Sequence, residues 1–198
     1  MDRKVIDADG HVSEPQDLWE TYLEPKYRER AIRIVRNEAG LEVLLIDGKR
    51  HHVFAPGTLG ILGGIGMDSE KLLEPGVHTY REACPPGGYD PHARLKVMEA
   101  ESIDVAVFYP TIGLAWEGQV DDPALAAAYC RAYNRWLAEF CSVAPERLVG
   151  VAHLSLADVD EAIRELRRCA KAGFKGVFVR PDLVEGRPIG HPDFDPLW

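Results

Sequence analysis

The sequence predicts an α/β protein in which strands and helices alternate around a parallel sheet. Short apolar runs at residues 4–8, 104–109, 148–154 and 175–180 are separated by segments with helical periodicity, and three helix starts carry an Asp cap. Strands that alternate with helices pair in parallel through crossover connections. A doubly wound open sheet and a (β/α)8 barrel both satisfy this order. No G-x-G-x-x-G follows the first strand and no Walker loop occurs, which lowers the nucleotide-binding alternative. The 198 residues supply about four of a barrel's eight strand–helix units. The expected fold is therefore the N-terminal half of a (β/α)8 TIM-type barrel, with residues 31–88 as an insertion after strand 1 and the second half absent.

The first strand, 4–8, runs into Asp9-Gly10-His11. Residues 31–35 and 41–46 are β-rich and flank Asn37-Glu38-Ala39-Gly40, the pattern of a hairpin. Glycine and proline are frequent over 56–88, which reads as a long irregular excursion of the kind that carries function or covers a site. Asp90-Pro91 is an N-cap followed by proline at the first helical position, and Leu95 and Met98 are spaced to pack. After the strand 104–109, Asp122-Pro123 repeats that signal. It opens a helix whose apolar positions include Leu125, Tyr129, Tyr133, Trp136, Leu137 and Phe140, and Pro145 ends it. Asp158 and Glu161 have capping-box spacing for a helix to 172, with Gly173 as its stop. Asp195-Pro196 is expected to start one more helix.

Composition narrows the function classes. Net charge is −9, from 23 basic and 32 acidic residues, which argues against nucleic acid or an anionic membrane as partner. The densest basic stretch, 164–171, alternates with Leu166 and Ala170 and reads as a solvated helix face. No apolar run approaches a membrane span, and Asp7 and Asp9 interrupt any signal-peptide core, so a cytoplasmic protein is expected. Cys84, Cys130, Cys141 and Cys169 form no C-x-x-C pair and are expected to be reduced and buried.

Chemistry concentrates at strand ends. Asp9 and His11 stand at i and i+2 of an extended segment, so a carboxylate and an imidazole can approach one divalent cation together. The alternative reading of Asp9 is a local backbone cap. Arg180 ends the last strand and is placed to hold a substrate carboxylate bidentately, or else to pair with Asp182. His153 ends the third strand and His191 lies in the loop after the fourth; each is a candidate substrate contact, set against packing or loop-ordering roles. Adjacent histidines on a strand face opposite sides, which argues against His51 and His52 sharing a metal. The glycine-rich run 57–66 fits no phosphate-binding spacing and reads as a flexible loop. Tyr133, Asn134 and Trp136 are expected to pack their helix against the strands.

The opening VIDADGHVSEPQDLWETYL resembles the amidohydrolase-related group, which includes the aminocarboxymuconate semialdehyde, γ-resorcylate and carboxyvanillate decarboxylases and some hydrolases. The segments DVAVFYPT, AYCRAYNRWLAEFC, PERLVGVAHLSL, FKGVFVRP and HPDFDPLW continue the likeness along the whole chain, most weakly over 32–86. The resemblance implies that Asp9 and His11 are the first ligand pair of a single divalent ion, zinc or manganese. A further His and Asp, and the general acid or base, would lie beyond Trp198.

The leading expectation is a metal-dependent enzyme that decarboxylates an aromatic or unsaturated carboxylic acid, a small-molecule carboxylate substrate. Hydrolysis of an amide, ester or lactone at the same metal is the alternative. A different class is an inactive half-barrel that associates with itself or with another fragment, because open sheet edges seek partners. A homo-oligomer or part of a longer chain is expected.

Overall fold

A computed structural model describes residues 3–64 and 66–198; Met1, Asp2 and Ile65, the last within the 57–66 run, lie outside the described residues. Four strands form one parallel sheet: β1 (Ile6–His11), β5 (Val105–Tyr109), β6 (Leu148–His153) and β7 (Gly176–Phe178), in the order β1-β5-β6-β7. All four predicted strands are thus parallel neighbours. The first is displaced, because Lys4 and Val5 precede it and Asp9-Gly10-His11 lies inside it. The last is only three residues long, so Arg180 stands two residues beyond its end.

Crossover helices complete the units. α4 (Pro91–Ala100) and α6 (Pro123–Ser142) begin at the predicted caps: Asp90 accepts from the amides of His92 and Ala93, and Asp122 from those of Ala124 and Leu125. α6 has an almost wholly buried inner surface and packs on β6 and on α1 (Leu18–Tyr22). Ala106 and Phe108 of β5 are buried on the helix side, while Val105, Val107 and Tyr109 are half-buried on the other. α7 (Val159–Lys171) exposes Arg164, Arg167 and Lys171, as its charge pattern predicts. Its capping box is half-formed: Asp158 accepts from the Glu161 amide, but the Glu161 carboxylate pairs with Arg131 and Arg164. A reciprocal box forms instead at Thr79 and Glu82, on α3 (Tyr80–Ala83).

The final turn also differs from expectation. A 3-10 helix runs over Pro192–Leu197 and is capped by His191, whose Nδ1 accepts from the Asp193 amide; helix formation starts before Asp195-Pro196 because His191 supplies the cap. All four cysteines are free and buried, as expected. No helix among the described residues is long and apolar enough to cross a membrane.

The 31–88 segment carries its own antiparallel sheet: β2 (Arg33–Arg36), β3 (Glu42–Ile46) and β4 (Lys49–Arg50). The hairpin is as predicted, but the third strand is not legible as a strand in so short and charged a run. The excursion after it contains short helical turns, including α2 (Ser69–Leu73) and α3. Arg30 fastens this sheet to the main body. Its guanidinium forks onto both Asp47 oxygens, at 2.6 and 2.8 Å, and its third nitrogen meets Asp122 Oδ2 at 2.6 Å. Hydrogen bonds from Arg30 hold both carboxyls below the usual range. Depressed carboxylate pKa values stabilise the fold above the unfolded value near ~4 and lose that contribution as pH falls through the folded values. Arg30→Ala is therefore expected to speed amide exchange over 47–52 by roughly five-fold at neutral pH, the scale of one partly exposed ion pair. At pH 2 wild type and variant should exchange alike. Equal protection at neutral pH would show that the pair does not hold the segment.

Candidate active site

The C-terminal end of β1 is irregular. Asp7 lies opposite Ala106 and Gly10 opposite Phe108, so Ala8 and Asp9 together face the single residue Val107. Two residues against one is a bulge, a device that re-aims side chains and breaks the simple i, i+2 alternation. Gly10 is required there, since a Cβ would stand 2.9 Å from the Val107 carbonyl oxygen. Asp9 is exposed; its backbone N–H donates to Asp7 Oδ1 at 3.2 Å, and its carboxylate has no hydrogen-bond or ion-pair partner among the described residues. His11, past the bulge and aligned with Tyr109, is half-buried.

His11 is held in one orientation. Its Nδ1 lies 2.9 Å from the Pro110 carbonyl oxygen, which can only accept, so Nδ1 carries the hydrogen and Nε2 keeps its lone pair. Thr111 Oγ1 stands 3.3 Å from the same nitrogen and donates to the Val12 carbonyl at 2.7 Å. A backbone partner on the far nitrogen is the usual support of a metal-binding histidine. An unpartnered carboxylate and an imidazole with a free Nε2 are donors that suit a divalent cation. Among the described residues no three His, Cys, Asp or Glu side chains gather closely enough to hold one by themselves.

Glu14 organises the loop behind His11. It is fully buried, and its carboxylate accepts from the amides of Thr111 and Gly113 through Oε1, both at 3.0 Å, and of Ile112 through Oε2 at 2.9 Å. Burial pushes its carboxyl above the usual range, against the downward pull of these amides. The three amides open α5 (Gly113–Trp116), so the carboxylate serves as a remote cap that fixes Thr111 against His11.

A cleft of about 530 Å³ opens beside His11, within the size range of small-molecule sites. His11, Thr111, Leu114, Ala115, Gly118 and Arg180 of the main body line it. The 31–88 segment contributes further lining, including His51, His52 and Phe54. Asp9 is not among the lining residues, so the structure brings His11 and Arg180 to one cavity and leaves Asp9 at the exposed bulge.

The other candidates fall elsewhere. Arg180 pairs with Asp182, Nη2 to Oδ2 at 2.9 Å, and lies against Gly118. His153 does not line the mouth: its ring is fully buried among Trp116, Tyr133 and Phe178, because β6 carries it under α6. Neither ring nitrogen has a hydrogen-bond partner, and Glu117 Oε2 is 3.5 Å from Nε2. Asn134 holds the His153 backbone, accepting from its N–H at 2.8 Å and donating to its carbonyl at 2.9 Å, a structural part consistent with a packing helix. His191 is occupied as the cap of the last turn and does not line the cleft.

His51 and His52 are the residues that strand logic misplaced. They lie just past β4, not within it, and their rings stack at 5.3 Å with 17° between planes instead of facing apart. Two consecutive histidines were a visible signal; what placed them on the cleft was a tertiary contact. Thr111 and Glu14 carried no local sign of their roles.

The chain is similar to known proteins in sequence and in fold. Residues 6–198 match the sequence profile of the family described as Amidohydrolase. A γ-resorcylate decarboxylase of Rhizobium radiobacter is 32% identical over 111 residues, covering 53% of this chain and 33% of that protein. The matched part is thus about a third of that curated relative's length. An amidohydrolase from Mycobacterium avium subsp. paratuberculosis K-10 superposes with a TM-score of 0.78 at 27% identity, over 100% of this chain and 56% of its own. The 5-carboxyvanillate decarboxylase of Novosphingobium aromaticivorans DSM 12444, complexed with manganese and 4-hydroxy-3-methoxy-5-nitrobenzoic acid, gives 0.54 at 20%, over 98% and 46%. That likeness is one of fold alone.

Proposed function

Since the chain belongs to the amidohydrolase family, we propose that it forms part of a metal-dependent enzyme that removes carbon dioxide from an aromatic or unsaturated carboxylic acid without an oxidant. The observation that carries this is His11, fixed through Nδ1 with Nε2 free beside a cleft of small-molecule size. Asp9 and His11 would hold the ion as part of a larger ligand set, since no three ligand side chains gather among the described residues. Manganese accompanies the carboxyvanillate decarboxylase, and manganese or zinc is the reading for this protein. When bound, such an ion polarises substrate oxygens and stabilises developing negative charge.

The chain's own residues do the rest. Arg180 exchanges Asp182 for the substrate carboxylate, since both are the same kind of acceptor and the guanidinium already borders the cleft. Thr111 and Pro110 keep the His11 ring from turning. Leu114 and Phe54 provide apolar wall for a ring. We read the sheet as half of a barrel and 31–88 as an insertion over its mouth; Val105, Val107 and Tyr109, half-buried on the face away from the helices, suit a barrel interior.

Incubation of the protein with Mn²⁺ or Zn²⁺ and a series of hydroxylated benzoates tests the reading. The expected result is release of carbon dioxide with the matching phenol, lost on chelation. Turnover that survives chelation would overturn the metal role. Cleavage of an aryl ester or amide without loss of carbon dioxide would make the enzyme a hydrolase.

A further inference from the structure

The wall contributed by the 31–88 segment has an order that packing alone does not require. His51 is nearly buried and both of its nitrogens are satisfied: Nε2 lies 3.2 Å from the Ala115 carbonyl, and Nδ1 accepts from the Val53 amide at 3.3 Å. That pattern is one neutral tautomer, and burial holds the ring below the usual histidine range. His51 is therefore a neutral plate, stacked on Phe54 at 4.9 Å and on His52 at 5.3 Å.

His52 differs. It is exposed and lines the cleft. Its Nδ1 lies 3.1 Å from Gln119 Oε1, and its own backbone N–H donates to that oxygen at 3.4 Å, so the amide presents oxygen and Nδ1 carries the hydrogen. Nε2 keeps its lone pair and has no protein partner among the described residues. Gln119 belongs to the main body, in the turn after α5, so the imidazole is fixed from both sides of the cleft. A planar ring held by stacking and by a partner on Nδ1, with Nε2 open, is a preorganised contact for a flat ligand that donates a hydrogen bond.

Resting on the decarboxylase reading above, we propose that His52 is the specificity-determining residue of the cleft: a hydroxylated aryl carboxylate donates a ring hydroxyl to its Nε2, in the plane of the imidazole. Arg180 then takes the carboxylate in the same cavity. A ligand that lacks the hydroxyl loses this hydrogen bond.

The test is calorimetric titration of the Mn²⁺-supplemented full chain with 2,6-dihydroxybenzoate and with benzoate. Wild type is expected to prefer the hydroxylated acid. His52→Ala should weaken 2,6-dihydroxybenzoate by about ten-fold, the scale of one well-placed hydrogen bond, with metal content unchanged. His52→Phe should bind benzoate like wild type but lose most of the preference for the hydroxylated acid. Gln119→Leu, which frees the ring without removing it, should lose about three-fold. Melting curves of each variant control for folding. Affinities within two-fold of wild type for His52→Ala, or an undiminished preference in His52→Phe, overturn the proposal while leaving the decarboxylase reading in place. A wild-type protein that retains metal and binds neither acid overturns the aryl-carboxylate reading and this proposal with it.

Discussion

In a protein that carries the further metal ligands, His11→Ala is expected to abolish stoichiometric divalent metal and to lower turnover by about 10³-fold or more, because the several kcal/mol of charge stabilisation that a bound cation supplies are lost together. With Asp9 and His11 as the sole ligands, occupancy is expected to be weak. The fold should barely change. His11 is half-buried at a strand end, and its side chain makes one strong hydrogen bond, to the Pro110 carbonyl. Asp9→Ala should act in the same direction on both readouts, because an exposed carboxylate with no protein partner contributes little to packing. Elemental analysis after dialysis, run beside a turnover assay and a thermal melt, separates the outcomes. An ion retained at one per chain in His11→Ala would place the site elsewhere. Metal lost together with the cooperative melt would show that the residue is structural.

Glu14→Ala is expected to be the most destabilising single change at the site. It leaves the amides of Thr111, Ile112 and Gly113 without the acceptor that all three share. Each orphaned buried donor costs about 1–3 kcal/mol, so a loss of about 4 kcal/mol is expected, or a melting point lower by roughly 10 °C. Glu14→Gln keeps Oε1 as acceptor for Thr111 and Gly113, but turns an amide nitrogen toward the Ile112 N–H; about half the loss is expected. The functional consequence separates this from a generic core defect. Thr111 contacts His11 Nδ1, so metal affinity should fall by about 10–100-fold in the folded fraction, as for other residues that orient a ligand from behind. Unchanged metal affinity in a folded Glu14→Gln protein would confine Glu14 to a structural role.

The two variants probe parts that differ in how visible they are along the chain. Asp9-x-His11 could be read directly, because two ligand types two residues apart at a strand end are a local pattern. Arg180 could be read as a basic residue at the end of a strand, although the strand stops at Phe178, two residues before it. Glu14 could not, because its partners are about a hundred residues away and a glutamate before a proline looks like any surface residue. His153 left two readings open along the chain, a site contact at a strand end or a packed ring, and only the tertiary structure chose: α6 and Trp116 close over it.

Periodicity and caps along the sequence determined the order of the four sheet strands and their crossover helices, the parallel sheet that alternation demands, and the hairpin of the 31–88 segment. These depend on interactions a few residues long: the N-caps at Asp90 and Asp122, the spacing of the α6 core, and the turn residues around Asn37 and Gly40. Tertiary structure alone decided what those elements enclose. The bulge that breaks the simple alternation from Asp9 to His11 is a matter of register against β5, where one strand has one residue more than its neighbour needs. The stacked His51 and His52 face the cleft because Ala115 and Gln119 arrive from the other side to hold their nitrogens. Glu14 is a loop anchor because three amides from beyond β5 converge on it. Each of these is a pairing between groups distant in sequence, where the directional demand of a buried polar atom selects the partner and no local pattern records the choice.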